Sequence, residues 1–165
     1  MIRRLSNCRM YVEGVEATAL CESFELPNVE IEQVEYSSLG MVGTIELPAS
    51  IAKMEAKAVW MHQPPEVVRL MNNVVATSQV QLRSDQAIFN GLGEPVPGFY
   101  VAVLRLRPKG IMGGTFTKGE ATKPETNFAV DFYSLTVNGQ LLLEVDASSN
   151  LGLRVDGSLI PLVGN

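Results

Sequence analysis

Apolar and polar residues alternate along most of this chain with a period of two, the spacing that predicts half-buried strands. Cys8-Arg9-Met10-Tyr11-Val12 alternates weakly, and Glu13-Gly14 follows as a tight turn. A second strand is predicted over residues 19–26, stopped by Pro27, which cannot donate to a ladder. Val29-Glu30-Ile31-Glu32 places apolar and acidic side chains on opposite faces. At Gln33-Val34-Glu35-Tyr36 the phase flips, which predicts a bulge or bend near Glu32. The clean alternation over residues 53–62 sets Met54, Ala56, Ala58, Trp60 and His62 against Lys53, Glu55 and Lys57. Further strands are predicted at 79–83, 86–89 and 99–107. A final hairpin, 127–137 with 140–145, is joined by Asn138-Gly139, a strong short-loop signal. Asp156-Gly157 reads as another turn.

One segment breaks the pattern. Pro64-Pro65 and Glu66 suit a helix's first turn, and Val67, Leu70, Met71 and Val74 then recur as one helical stripe, with Asn72-Asn73 suited to its end. Three stretches are rich in glycine, serine or proline: 37–50, 90–98 and 108–124. The first reads as an extended arm or long hairpin, the second as a linker and the third as a second extended arm. One helix among antiparallel strands predicts an α+β, mainly β fold: an antiparallel β-sandwich or barrel with one packed α-helix and long extended arms.

Composition narrows the function more than the fold. At 165 residues the chain has the size of one domain, and it needs no disulfide or metal to complete a core. A net charge of −5 and a pI of about 4.9 argue against general phosphate binding, because the basic residues are scattered singly or in short pairs such as Arg3-Arg4. Aromatics on a basic surface, the mark of base stacking, are not evident. Cys8 and Cys21 belong to no CxxC motif; free buried thiols are expected, with a single bridge as the other arrangement. No run of 18 apolar residues is present, so no membrane span is expected. The opening segment has no apolar stretch of signal-peptide length, so synthesis in the cytoplasm is expected.

Catalytic chemistry has no support in the sequence. His62, the one histidine, would have to serve any triad as its base, and no serine near it sits in an elbow motif. Gly110-Ile111-Met112-Gly113-Gly114 lacks the Gly-Lys-Ser/Thr ending of a phosphate loop. Glu30, Glu32 and Glu35 have nothing converging on them that would make a metal or acid–base site. No enzyme activity, cofactor or metal is expected.

Several stretches, taken in order, resemble the tail tube proteins of contractile-tailed bacteriophages and R-type bacteriocins. The run from Asn7 to Gly14 is similar to the family's opening strand and turn, and Ser23-Phe24-Glu25-Leu26-Pro27 to its strand ending in Leu-Pro. Glu35-Tyr36 with Gly40-Met41, Met54-Glu55-Ala56 and Lys118-Gly119-Glu120 resemble its arm, the following strand and a later loop. Phe132-Tyr133 through Asn138-Gly139 to Leu143-Glu144-Val145-Asp146 carries most of the likeness; residues 79–98 carry none.

The resemblance implies a single tail-tube domain over residues 1–165, with arms at about 37–50 and 108–124. It implies a structural subunit of the inner tube, in hexameric rings stacked around a channel for DNA or cargo. Gly40, Met41, Val42, Ile45, Ile111, Met112 and Phe116 are then expected at contacts between subunits, and Glu30 and Glu32 facing the lumen. Implied partners are further copies of the chain, a sheath protein, a baseplate or tube initiator, a tail terminator, and DNA or cargo that passes without specific binding. No membrane is among them. The implied location is a virion tail or an extracellular tail-like particle. Two alternatives stand beside this reading. One is a monomeric β-barrel that lines an apolar ligand site with Trp60, Phe99, Tyr100, Phe128 and Phe132, residues that plain core packing also explains. The other is a tube of the type VI secretion kind.

Overall fold

The structure, a computed structural model, describes residues 3–62, 65–89, 95–111, 113, 117–120, 122–149 and 152–162. In chain order the strands begin with β1 (Arg3–Val12) and β2 (Val15–Glu16). A single 3-10 turn (Thr18–Leu20) leads into β3 (Cys21–Glu25), and β4 (Ile31–Tyr36), β5 (Ile45–Ile51) and β6 (Met54–Trp60) follow. The helix α1 (Pro65–Met71) precedes the long strands β7 (Ser78–Phe89), β8 (Pro95–Pro108) and β9 (Glu125–Val137). β10 (Gln140–Asp146), β11 (Leu153–Val155) and β12 (Ser158–Leu159) complete the order.

Ten strands form one antiparallel sheet whose main path runs β12-β11-β10-β9-β8-β7-β1-β2. The sheet divides at β9. Residues Glu125 to Val130 of β9 pair with β6, which in turn holds β3. Residues Phe132 to Val137 pair with β10. The two wings thereby curl around one core, in which Trp60, Phe128, Leu104, Leu106, Val80 and Val145 are the largest fully buried side chains. The alternation read at β6 is the reason: Met54, Ala56, Ala58 and Trp60 are buried, and Glu55 is exposed. The indole NH of Trp60 donates to Thr126 Oγ1, which satisfies the one polar atom of that ring. Phe24 stacks on Phe128 with ring centroids 6.3 Å apart, tying β3 to β9.

Turn chemistry fixes the registers. Asn138 (φ 52°) and Gly139 (φ 79°) both have positive φ, as the two-residue hairpin loop between β9 and β10 requires. Glu13 with Gly14, and Asp156 with Gly157, repeat the pattern at the other tight turns. The β4–β5 register does shift between Glu32 and Gln33, but the extra residue is Ala49 on β5, so β4 itself carries no inserted residue at the bend expected near Glu32.

Several sequence expectations are corrected. The segments 79–83 and 86–89 are parts of one strand, β7, which continues through the polar pair Ser84-Asp85. Pro95 to Gly98, read as linker, opens β8 and pairs with Gln86 to Phe89. Pro95 and Pro97 are tolerated there because β8 gains its second neighbour, β9, only from Tyr100 onward, so their missing N–H groups interrupt no second ladder. The helix stops at Met71, and Val74 lies beyond it and exposed; Val67 is buried in the core. His62 lies past the end of β6 and is exposed, off the buried face that Trp60 occupies. Cys8 and Cys21 are both free, Cys8 exposed and Cys21 half-buried, so neither is the buried thiol expected.

Candidate functional site

The strands β4 and β5 form a separate two-stranded sheet outside the main one. Opposed pairs alternate between its faces. Val34↔Leu47 and Tyr36↔Ile45 share one face, whereas Gln33↔Pro48 and Glu35↔Glu46 share the other. The ribbon is therefore amphipathic, yet its apolar face is poorly covered: Val34 is 55% exposed, Tyr36 50% and Ile45 45%. At its tip, Leu39 and Val42 are fully exposed. A two-stranded ribbon is marginal alone in water, and an exposed apolar patch of this kind marks an interaction surface.

The sequence-predicted contact residues fall mostly on this ribbon. Gly40 sits at the tip with φ 96°, a value that a side chain would strain. Met41 N donates to Ser38 O at 3.1 Å, closing the tip turn, and Val42 and Ile45 follow on the returning side. Ile111, 76% exposed, belongs to the segment after β8, far along the chain from the ribbon. Met112 and Phe116 lie outside the described residues. Glu30 and Glu32 are exposed at the ribbon's base, where Glu30 accepts from Asn28 at 3.1 Å and Glu32 accepts from Ser50 at 2.9 Å.

A second surface was not legible in the sequence. The face of the large sheet turned away from the core gathers Arg9, Tyr11, Gln81, Arg83, Val101 and Arg105 through the β1–β7–β8 registers. Arg83 stacks over the Tyr11 ring at 5.4 Å and Arg105 over the Phe132 ring at 5.8 Å. The sequence reading found no aromatics on a basic surface; strand pairing creates these two stacks from residues far apart in the chain. Arg105 also reaches Asp146 at 3.4 Å. A bulge at Asn7 (φ 50°), which donates to Asp85 at 3.0 Å, shifts the β1–β7 register between Ser6 and Arg9.

Sites for chemistry are poorly furnished. Among the described residues, no group of three His, Cys, Asp or Glu side chains could hold a metal ion. Trp60 and Phe128 are consumed by the core, while Phe99 is exposed and Phe132 lies under Arg105. The aromatics proposed for an apolar ligand site thus point to different environments. A cavity of about 340 Å³ between β1 and β3 is lined by Cys8, Met10, Cys21, Phe24, Leu26 and Tyr100, and takes only Tyr100 from that set. Its Cys21 thiol is pushed up to about 11 by burial, which leaves it protonated and unreactive at neutral pH. Among the described residues, no helix is long and apolar enough to cross a membrane.

Comparison with known proteins bears on the fold and on the family. A chain of the sheath-tube complex of the extracellular contractile injection system PVC, in the extended state, shares the fold with a TM-score of 0.55 at 12% identity, covering 79% of this chain and 86% of that chain. A chain of the PVC sheath/tube terminator in the extended state gives a TM-score of 0.55, 12% identity, and coverage of 79% and 91%. No curated protein matches the sequence. The family model of the phage tail tube protein FII matches residues 2–158, nearly the whole chain, and the chain therefore belongs to that family and is a structural subunit of a tail tube.

Proposed function

We propose that this chain builds the inner tube of a contractile tail or tail-like injection particle, as hexameric rings that stack into a hollow wall. The observation that carries this reading is the β4–β5 ribbon, whose apolar face the subunit does not bury. A ring contact of this kind joins two different surfaces and closes by rotation, while stacking of ring on ring stays open and gives a fibre. Met41, Val42 and Ile45 make contacts between subunits in this reading, with Gly40 at the turn of their arm and Ile111, Met112 and Phe116 supplying the second arm. Glu30 and Glu32 face the lumen, where negative charge repels passing DNA.

The subunit works by assembly and not by catalysis. Its partners are its own copies, a sheath, a tube initiator at the baseplate and a terminator; DNA or cargo passes without specific binding. The mature product resides in the tail or extracellular particle after synthesis in the bacterial cytoplasm. Negative-stain electron microscopy across a concentration series, with light-scattering mass, tests the reading. Rings or hollow tubes are expected. A species that stays monomeric at every concentration, with or without the cognate baseplate proteins, would overturn it.

A further inference from the structure

Two like-charge pairs of opposite sign stand out among the strand registers. Arg9 of β1 lies directly opposite Arg83 of β7, and Glu35 of β4 lies directly opposite Glu46 of β5. Opposed residues in an antiparallel pair hold their Cβ atoms about 4.5–5.5 Å apart, and like charges at that spacing repel. All four side chains are exposed, and none takes part in the five ion pairs found among the described residues. Arg83 is nonetheless held in place: it donates to Gln81 Oε1 at 3.2 Å and rests on the Tyr11 ring. The two arginines border a cavity of about 370 Å³ on the sheet's outer face. Among the described residues Asp85 is the one carboxylate in its lining, and it accepts from Asn7.

Charge is also partitioned along the chain. Every lysine and arginine lies outside residues 10–52, a stretch whose only charged side chains are glutamates. The ribbon within that stretch has no internal cation to neutralise Glu35 and Glu46. Val34, Leu47, Tyr36 and Ile45 lie on the opposite face of the ribbon from the glutamate pair.

We infer that the Glu35–Glu46 pair of one copy docks on the Arg9–Arg83 pair of another, seating the ribbon's acidic face in the cavity beside Tyr11. The inference rests on the assembly proposed above and adds to it the partner surface. Both pairs are directly opposed across an antiparallel ladder, so their side chains leave the sheet at similar spacing, and each guanidinium fork accommodates a carboxylate. A phosphate backbone would also suit two arginines. A second copy is favoured because the same chain carries an unneutralised acidic pair of similar spacing.

The test uses the full chain and three variants: Arg9→Glu with Arg83→Glu, Glu35→Arg with Glu46→Arg, and all four changes together. Circular dichroism and thermal melts establish that each subunit folds; should a reversal unfold it, the corresponding Gln pairs replace it. Sedimentation and electron microscopy then give the concentration at which tubes form. Each double reversal is expected to raise that concentration about tenfold or more. The fourfold variant, and an equimolar mixture of the two doubles, should restore it to near the wild-type value; rescue by mixing requires a contact between copies. Wild-type tubes with both doubles unaffected overturn the inference and leave the tube reading standing, as does loss without rescue. Normal tubes from the arginine variant, with reduced retention of a DNA oligonucleotide, assign the arginines to nucleic acid and overturn it also. A wild-type chain that never assembles overturns the tube reading itself.

Discussion

The indole NH of Trp60 donates to the hydroxyl of Thr126 at 3.1 Å, a buried hydrogen bond that links β6 to β9. Both residues are almost wholly inaccessible, so no water can replace either partner. Thr126→Val keeps the shape and removes the acceptor, stranding a buried donor. The expected loss of stability is about 1–3 kcal/mol, read from urea unfolding of the unassembled subunit. A variant as stable as the wild type would mean that the indole finds another acceptor.

Much of this region was legible in the sequence because local pattern and tertiary structure agree there. The alternation of Met54 to Trp60 predicted which side chains are buried, and Asn138-Gly139 predicted its hairpin from positive-φ preference alone. Elsewhere long-range pairing overrode local signals. Ser84-Asp85 looked like a break, yet β1 and β8 flank it and carry β7 through. Pro95 and Pro97 looked like linker, yet a strand with one neighbour tolerates them. The Arg9–Arg83 pair was invisible for a simpler reason: opposition across two strands depends on register, and the Asn7 bulge that adjusts it has no sequence signature of its own.

Gly152 admits no side chain. A Cβ built there would collide with the backbone carbonyl oxygens of Asp146 and Ser149, and neither is the movable end of a side chain. Gly152→Ala should cost about 1–3 kcal/mol through forced backbone displacement, seen as a lower melting temperature. The loop between β10 and β11 should lose amide protection first, since Asp146 N donates to Gly152 O at 2.7 Å.

Acid should weaken the subunit through two carboxylates, the exposed Glu55 and the half-buried Asp146. Lys109, at 2.7 Å, and then Lys53 hold the Glu55 carboxyl below its ordinary value. Hydrogen bonds from Ser148 do the same for Asp146, with Arg105 adding to them. A carboxyl with a lowered folded-state pKa adds stability above its unfolded value, and that stability is lost as pH falls through the folded one. Melting temperature should therefore drop between about pH 5 and pH 3, and the slope should flatten in a Glu55→Gln, Asp146→Asn variant. An unchanged slope would assign acid sensitivity to other groups.

The two thiols should differ sharply toward a maleimide at neutral pH. Cys8 is exposed, whereas Cys21 is half-buried with its thiol raised to about 11, its Sγ donating to Ser23 O at 3.1 Å. One label per folded subunit is expected by mass spectrometry, removed by Cys8→Ser and rising to two on denaturation. Two fast labels in the native subunit would show that the β1–β3 cavity opens.

At the ribbon tip, Met41→Asp with Val42→Asp should leave folding intact, because both side chains already face solvent in the subunit. Melting should shift by about 0.5 kcal/mol or less, the usual range for surface changes. Assembly should fail, since an unpaired charge buried at an interface is costly. Normal tubes in electron micrographs would remove the tip from the contact.

The division of the sheet at β9 has a mechanical consequence. One uninterrupted strand of 13 residues serves both wings, pairing with β6 over its first half, β10 over its second, and β8 along most of its other edge. A pull on either wing is therefore carried by covalent main chain and by hydrogen bonds loaded in shear, which must break together. The register shift at Asp131, between the two halves, turns the strand from one partner to the other without breaking the chain, so a load on one wing reaches the other through β9 itself.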